Sequence, residues 1–209
     1  VPIDYDGLSA NQSLAINAGG HLTINGAISD SNPGTAVNLN LTLGSHSPLI
    51  AGTTSDGDMT IAAPINLTAG SFTASGTSFN NANGAITAGA FSLNFTGAAQ
   101  INADLSVGSM STNSGSLVVN SPVTSSGAVN MTSSGAITLA STMSGTNFVV
   151  SAPSINVVDA LTASGTVNMS SSGSVNLAST VSGTDITLSS ATLTVSSPLA
   201  ASGNLSLTS

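Results

Sequence analysis

Two pairs of aspartates are the most closely spaced charged residues of the chain. They occur as Asp4-Tyr5-Asp6 and Asp56-Gly57-Asp58. Ca²⁺ takes six to eight oxygen ligands from carboxylates and carbonyls, so two carboxylates supply only part of a site. The Gly-Gly-x-Gly-x-Asp repeat of calcium-binding solenoids does not occur either. We therefore expect solvated turn residues and no cofactor, with Asp56 and Asp58 as calcium ligands in the alternative case.

The histidines are the other side chains able to act as a base or a metal ligand. There are two, His21 and His46, and we expect both to be surface or turn residues. Serine is so frequent that Ser-His-Asp combinations arise by chance and carry no signal. β-Helix enzymes that act on acidic polysaccharides combine Asp clusters with Arg or Lys, and this chain has neither cation. The sequence predicts no catalytic residue and no enzymatic activity.

Charge in this chain is sparse and of one sign. Among 209 residues there is no Lys, Arg or Cys, and eight acidic residues give a formal net charge of -8. A surface without cations cannot neutralise phosphates, which argues against nucleic acid and anionic lipid headgroups as partners. No apolar run reaches the roughly 20 residues of a spanning helix, so membrane insertion is not expected. Gly, Ser, Thr and Asn are abundant, which disfavours long helices.

A repeat organises most of the chain. Gly127, Gly165 and Gly203 are equally spaced and lie within nearly identical surroundings. From Ala69 onward the chain divides into lines of about 19 residues whose apolar positions coincide, with two lines to each glycine interval. A constant period of this size indicates a solenoid, in which one structural unit stacks on copies of itself.

The apolar residues of each line mark three short strands. Two apolar pairs have a spacing of two, the alternation of a strand with one buried face, and a single apolar residue closes the line. Ser-Gly, Ser-Pro and Gly-Thr segments between them are typical of turns. We predict an all-β parallel β-helix with about 19 residues and three short strands per coil. Coils about 4.8 Å apart would make the regular part roughly 35 Å long. Examples of the first pair are Val129 with Met131 and Val167 with Met169, of the second pair Ile137 with Leu139 and Val175 with Leu177, and of the closing residue Val123, Met143 and Leu161.

The regularity differs between two parts of the chain. Residues 69–209 hold the regular coils, whereas residues 1–68 contain strand-like segments at 21–29 and 36–44 separated by irregular sequence. A solenoid end exposes unpaired strand edges and needs cover. We predict one domain, with residues 1–68 as the irregular N-terminal part or cap of the same solenoid.

The lines from Ser126 to Ser144 and from Ser164 to Ser182 resemble the 19-residue repeats of filamentous-haemagglutinin-type adhesins. The resemblance covers about two thirds of the chain and consists of the period, the strand pattern and the bias toward Gly, Ser, Thr, Asn and Ala. That family comprises large bacterial exoproteins, so the resemblance implies a right-handed parallel β-helix outside the cell or at the bacterial cell surface. The lack of Lys and Arg departs from the family, and it leaves trypsin-like proteases no cleavage site.

The last strand-like segment, 204–208, is followed by no helix, charged tail or polar cap. Open N–H and C=O groups at such an edge are available to another chain. N-terminal strands of a second copy are candidates to continue this coil, and a head-to-tail contact of this kind propagates because it does not close on itself. The alternative is a chain that continues past Ser209. The residues predicted for assembly are Asn204, Leu205, Ser206, Leu207, Thr208, Leu14, Ile16, Leu22 and Ile24.

The sequence therefore predicts an extracellular structural or adhesive β-solenoid that assembles into a filament or surface fibre, as in a biofilm. Its expected partners are further copies of itself and cell-surface or matrix glycans. The alternative function is a carbohydrate-binding or carbohydrate-active β-helix, which needs a groove with clustered Asp and exposed aromatic residues. Tyr5 is the single Tyr, Trp is absent, and most of the five Phe fall at inward positions, which favours the first function.

Overall fold

The computed structural model describes residues 3–4, 12–18, 20–30, 36–43 and 57–209 of the chain. These residues form 27 strands and no helix. The strands pair in parallel from coil to coil, for example Val167 with Ile186 and Val175 with Leu193. The prediction of an all-β solenoid with coils about 19 residues apart is confirmed.

The strands stack in three columns along the solenoid axis, and we name the columns in the order in which a regular coil passes through them. Two long strands, β10 (Ile86–Phe95) and β12 (Leu105–Ser114), run through the corner between columns 3 and 1. These two columns therefore form one 18-stranded sheet, while column 2 is a separate sheet of nine strands.

Each column contains one strand, or half of a long strand, from every coil. Column 1 contains β2 (Gln12–Ala18), β5 (Val37–Leu43), β8 (Ser71–Gly76), the second halves of β10 and β12, β15 (Val129–Ser133), β18 (Phe148–Ser151), β21 (Val167–Ser170), β24 (Ile186–Ser189) and β27 (Leu205–Thr208). Column 2 contains β3 (Leu22–Ile24), β6 (Asp58–Ile61), β9 (Ser78–Asn80), β11 (Ala98–Ile101), β13 (Ser116–Val119), β16 (Ala136–Leu139), β19 (Ser154–Val157), β22 (Ser174–Leu177) and β25 (Thr192–Val195). Column 3 contains β1 (Ile3–Asp4), β4 (Ile28–Ser29), β7 (Ile65–Asn66), the first halves of β10 and β12, β14 (Val123–Ser125), β17 (Met143–Gly145), β20 (Leu161–Ala163), β23 (Val181–Gly183) and β26 (Leu199–Ala201).

The core follows from the alternation along each strand. In β15 the side chains of Val129 and Met131 are fully buried, whereas Asn130 between them is exposed. The inward residues of successive coils join one apolar cluster that extends from Ile24 to Leu188. Burial of apolar side chains contributes about 1.5–3 kcal/mol each, so the stacking of these residues is the main stabilising term. A single continuous core holds the described coils together.

All five phenylalanines lie in this core. Phe72 and Phe91 occupy equivalent positions in β8 and β10 and stack at a centroid distance of 5.3 Å with an interplanar angle of 11°. Phe79 of β9 meets both rings edge-on at 6.2 Å. These offset and edge-to-face contacts add about 0.5–1.5 kcal/mol per pair beyond area burial. The aromatic residues are thus used for packing and not for an exposed binding surface.

The structure explains why the sequence similarity is best between alternate coils. In column 1 the register advances by 19 residues per coil, as from Val129 to Phe148, and the same step joins Asn94 to Asn113. In column 2 a step of 20 residues, as between Asn156 and Asn176, alternates with a shorter one of 18 residues. Column 3 alternates in the same order, because the corner between columns 2 and 3 keeps a constant length. One residue is therefore moved from one corner to another in every second coil, and two coils form the true repeating unit.

A side chain in the shorter form of the corner between columns 3 and 1 contacts the longer corner of the next coil. The carboxamide oxygen of Asn147 accepts a hydrogen bond from the backbone N–H of Thr166 at 2.8 Å. Two coils later, Asp185 Oδ1 accepts the corresponding bond from the N–H of Asn204 at 2.7 Å. A Cβ atom on Gly165 would collide with the oxygen of Asn147, so only glycine leaves room for this contact. Gly165 and Gly203 thus mark the places where this side chain crosses the next coil, whereas Gly127 packs against the carbonyl of Gly108.

The strands before residue 69 continue the same three columns at longer intervals. In column 1, Leu14 pairs with Leu39 and Leu39 with Phe72. Along the second of these strand pairs, Asn38 and Ser71 are 33 residues apart and joined by a hydrogen bond. In column 2, Leu22 of β3 pairs with Met59 of β6. The additional residues lie in the connections, which is why the repeat is hidden in this part of the sequence.

A series of small, inward residues occupies the corner between columns 1 and 2. Its members are Ser114, Ser133, Ala152, Ser171 and Ser190, all of them buried. Ser171 Oγ donates to the carbonyl of Pro153 at 2.8 Å and accepts from the N–H of Gly173 at 3.2 Å. Ser114 Oγ is buried without a hydrogen-bond partner.

Because these two serines differ in their hydrogen bonds, replacement by alanine should change the free energy of unfolding in different directions. Ser171→Ala removes two buried hydrogen bonds and leaves a backbone N–H without its partner, so it should lower the free energy of unfolding by about 1–3 kcal/mol. Ser114→Ala removes a hydroxyl that has only a desolvation cost, so it should be neutral or raise stability by up to about 1 kcal/mol. Urea denaturation of both variants measures the difference. Equal losses of stability in the two variants would contradict this account.

Candidate functional site

A group of chemically reactive and hydrogen-bonding side chains lies on the outer face of column 2, on strands β3, β6, β9 and β11. Leu22, Met59, Phe79 and Ala99 pair across these strands and point inward. Because side chains alternate along a strand, the residues that precede them point outward. His21, Asp58, Ser78 and Ala98 therefore form a row across four coils, and Asn80 and Gln100 lie beside it.

His21, Asp58 and Ser78 are in contact within this row. His21 Nδ1 lies 3.7 Å from Asp58 Oδ2, with the histidine side chain 53% exposed and the carboxylate 28% exposed. Ser78 Oγ donates a hydrogen bond to Asp58 Oδ1. Gly57 sets the start of β6 with a φ of 95°, and a Cβ there would lie 2.6 Å from Thr77 Oγ1. The glycine between the two aspartates of the sequence pair thus places Asp58 beside Ser78.

The order of these three groups differs from that of a catalytic triad. In a Ser-His-Asp triad the imidazole lies between the hydroxyl and the carboxylate and removes the hydroxyl proton. Here the carboxylate lies between the other two, and the serine hydroxyl donates to it. The arrangement fixes the Ser78 hydroxyl and holds the Asp58 carboxylate in place, and it offers hydrogen-bonding groups to solvent. The expectation of no enzymatic activity stays a prediction.

The calcium alternative involves residues that the structure describes only in part. Asp58 is described, whereas Asp56, its predicted partner, lies outside the described residues together with the side chains of Asp4 and Asp6, and with His46. In the part of the chain that is described, no group of three or more His, Cys, Asp or Glu side chains could hold a metal ion. Asp58 is positioned by Ser78 and His21 instead.

A network of carboxamides adjoins the row. Asn102 Nδ2 donates to Asn80 Oδ1 at 2.8 Å and to Gln100 Oε1 at 3.2 Å. Asn120 Nδ2 donates in turn to Asn102 Oδ1 at 2.7 Å. Behind them the fully buried Asn81 accepts from the N–H of Asn102 at 2.7 Å and donates to the carbonyl of Ala103 at 3.0 Å. The network fixes the orientation of the exposed amides.

A small cavity opens between β9 and β11 next to these groups. It has a volume of about 170 Å³ and is lined by Ser78, Phe79, Asn80, Ala98 and Gln100. The small side chain of Ala98 beside the longer Gln100 produces the depression. We call the cavity with these lining residues the amide cleft.

The amide cleft was not predicted from the sequence, although a signal for it exists. Asn80 and Gln100 are separated by the longer register step of column 2, and Asn102 and Asn120 by the shorter one. Elsewhere the outer faces carry simple amide pairs, with Asn176 Nδ2 donating to Asn156 Oδ1 at 3.0 Å in column 2 and Asn113 Nδ2 to Asn94 Oδ1 at 3.0 Å in column 1. A cavity beside the amides distinguishes the cleft from these pairs.

The residues predicted for assembly lie at the two ends of the described stack. Leu205 and Leu207 of β27 are each 48% exposed, and Asn204, Ser206 and Thr208 are exposed beside them. At the other end, Leu14, Ile16 and Leu22 are half-buried against the core, whereas Ile24 is only 9% exposed. Within one chain these two groups are not in contact, since β27 pairs with β24 and β2 pairs with β5.

Neither protein-family models, nor curated proteins, nor solved structures give a match to this chain. The described residues include no helix that is long and apolar enough to cross a membrane. The architecture is that of a β-solenoid and is compatible with β-helix repeat proteins.

Proposed function

We propose that this protein is a structural or adhesive β-solenoid of the bacterial cell surface or extracellular matrix, similar in role to filamentous-haemagglutinin-type exoproteins. The support is a rod of stacked coils whose side chains are used mainly for packing and for coil-to-coil hydrogen bonds. An exterior without Lys or Arg offers no site to proteases that cleave after basic residues. Both properties suit a passive element exposed outside a cell.

We further propose that copies associate head to tail. One observation carries this step. Leu205 and Leu207 are 48% exposed, whereas Val167 and Met169, at the equivalent positions two coils earlier, are 1% and 0% exposed because the next coil covers them. The apolar pair therefore has the side chains of a position that a further coil covers, and a second copy can supply that coil. The first coil of a second copy, which carries Leu14 and Ile16 in the same column, supplies the matching alternation.

Electron microscopy and sedimentation of the purified chain test this association. We expect linear oligomers that lengthen with concentration, and we expect Leu207→Asp to shift the population to monomers by at least about tenfold, because it places a charge in an apolar contact. Ser206→Asp is the matched control, since it adds the same charge at the neighbouring outward position. Monodisperse monomers of the parent chain at high concentration would refute head-to-tail assembly.

The carbohydrate-binding alternative has one specific observation in its favour, the amide cleft beside Asp58. The exposed aromatic residues that favour such a function are missing from the described surface, since all five Phe are buried. Glycan binding is therefore proposed as an adhesive property of the rod and not as a separate enzymatic function.

A further inference from the structure

We propose that the amide cleft binds a single sugar unit of a neutral polysaccharide or glycan. This inference specifies the partner of the adhesive role proposed above and rests on that role for its biological meaning. It is carried by the cavity between β9 and β11, by the fixed carboxamides of Asn80 and Gln100, and by the Asp58–Ser78 pair at its side.

The charges around the cleft select against ions. The described part of the chain contributes no Lys or Arg to compensate an anionic ligand, and the Asp58 carboxylate repels one. A cationic ligand would meet a single carboxylate that already accepts a hydrogen bond from Ser78 and lies beside His21. An uncharged ligand rich in hydroxyl groups matches these surroundings best, because it needs no charge compensation.

The hydrogen-bonding groups of the amide cleft are complementary to the hydroxyl groups of a sugar. A carboxamide presents both a donor and an acceptor, and a sugar hydroxyl does the same. Asn102 Nδ2 donates to the oxygens of both Asn80 and Gln100, so those oxygens face Asn102. The amide nitrogens of Asn80 and Gln100 lie on the other side of each group and have donors left for a ligand. Ser78 Oγ, which donates to Asp58, retains its capacity to accept a bond.

The volume and the lining of the amide cleft fit one sugar ring. A volume of about 170 Å³ lies below the range of about 300–1,000 Å³ typical of pockets for drug-sized ligands. One sugar residue of a longer chain is the appropriate size, with neighbouring units extending over the flat outer face of column 2. Ala98 supplies the exposed apolar side chain of the lining, next to Phe79, whose ring is buried in the core. A shallow, open site of this kind should bind a free monosaccharide with a dissociation constant of about 1–10 mM.

Nuclear magnetic resonance on the full, ¹⁵N-labelled chain tests the proposal. The probes are glucose, galactose, mannose and N-acetylglucosamine, each titrated well above the expected dissociation constant. We expect saturable shifts of the side-chain amide signals of Asn80 and Gln100 with at least one of these sugars. The absence of saturable shifts at both residues with all four sugars would overturn the proposal.

Two variants and a control localise the binding. Ala98→Leu fills the cleft and Gln100→Ala removes a donor, and both positions are exposed, so we expect them to fold normally and to bind at least about tenfold more weakly. Asn176→Ala removes an amide from the outer face of the same column far from the cleft and should bind like the parent. Unchanged binding by Ala98→Leu would also overturn the proposal. Filament formation is measured independently by microscopy, so failure of sugar binding and failure of the structural role are distinguishable.

Discussion

Replacement of Met169 by Asp is expected to unfold the coils around β21. Met169 is fully buried between Val150 and Leu188 of the adjacent coils. An uncompensated buried carboxylate costs several kcal/mol, of the order of the 3–5 kcal/mol lost when a buried ion pair is broken. The chain has no Lys or Arg that could rearrange to pair with it. The loss in the free energy of unfolding should therefore be among the largest for a single substitution. Urea denaturation with hydrogen exchange would measure it.

Asn168→Asp is the matched control for this substitution. Asn168 precedes Met169, is exposed, and receives the same additional charge. Surface substitutions of this kind usually change stability by less than about 0.5 kcal/mol. Equal urea midpoints for the two variants would show that the alternation in β21 is wrong.

The effect of Met169→Asp should also depend on pH in a defined direction. Burial raises the pKa of a carboxyl group because the charged form loses its solvation. The folded-state pKa of the introduced group then lies above its unfolded value of about 3.9, and the cost of charge burial disappears as the pH falls toward that value. The difference in stability between Met169→Asp and Asn168→Asp should therefore be smaller at pH 4 than at pH 7.

Removal of two whole coils is expected to damage the fold less than removal of a single residue. Deletion of the segment 126–163 joins Ser125 to Ser164 and restores the same corner, because Val167 then follows Val123 at the interval that Val129 has in the parent chain. Column 2 is also restored, since Val175 takes the position of Ile137 above Leu117. Each coil contacts only its neighbours, so the stability of the remaining coils should change little.

Deletion of Asn168 alone should have the opposite outcome. A shift of one residue turns inward side chains of a strand to the outer face. Exposing Met169, or leaving its site empty, costs about 2–5 kcal/mol, and the change extends until a corner absorbs the missing residue. Circular dichroism and urea denaturation of both deletion variants provide the comparison. A folded single-residue deletion together with an unfolded two-coil deletion would contradict the two-coil repeat.

The regular coils could be predicted in detail because period and alternation are visible in the sequence. The inward positions Val129, Met131 and Ile137 are all buried. The alternation of shorter and longer steps in columns 2 and 3 was not predicted, because lines of constant length impose one interval on all three columns. Only the pairing of strands shows that a corner residue changes place in every second coil.

The candidate site could be predicted much less well. Asp58 was selected from the sequence, but its contacts with His21 and Ser78 were not expected. His21 and Asp58 are separated by much more sequence than one regular coil contains, because additional chain is inserted between β3 and β6. A method based on periodicity cannot align residues across such an insertion. The carboxamides of Asn80 and Gln100 do follow the register of column 2, but an amide on an outer face is ordinary until a cavity is found beside it.

The packing of each coil against only its neighbours has a mechanical consequence. When the rod is pulled by its two ends, the load passes through one coil at a time, since a coil is held only by its neighbours in the three columns. A peeled coil of about 19 residues releases roughly 60 Å of extended chain in place of a rise of about 4.8 Å. Under tension the molecule should therefore lengthen in many equal steps, while the unpeeled coils keep their shape. Each step dissipates mechanical work.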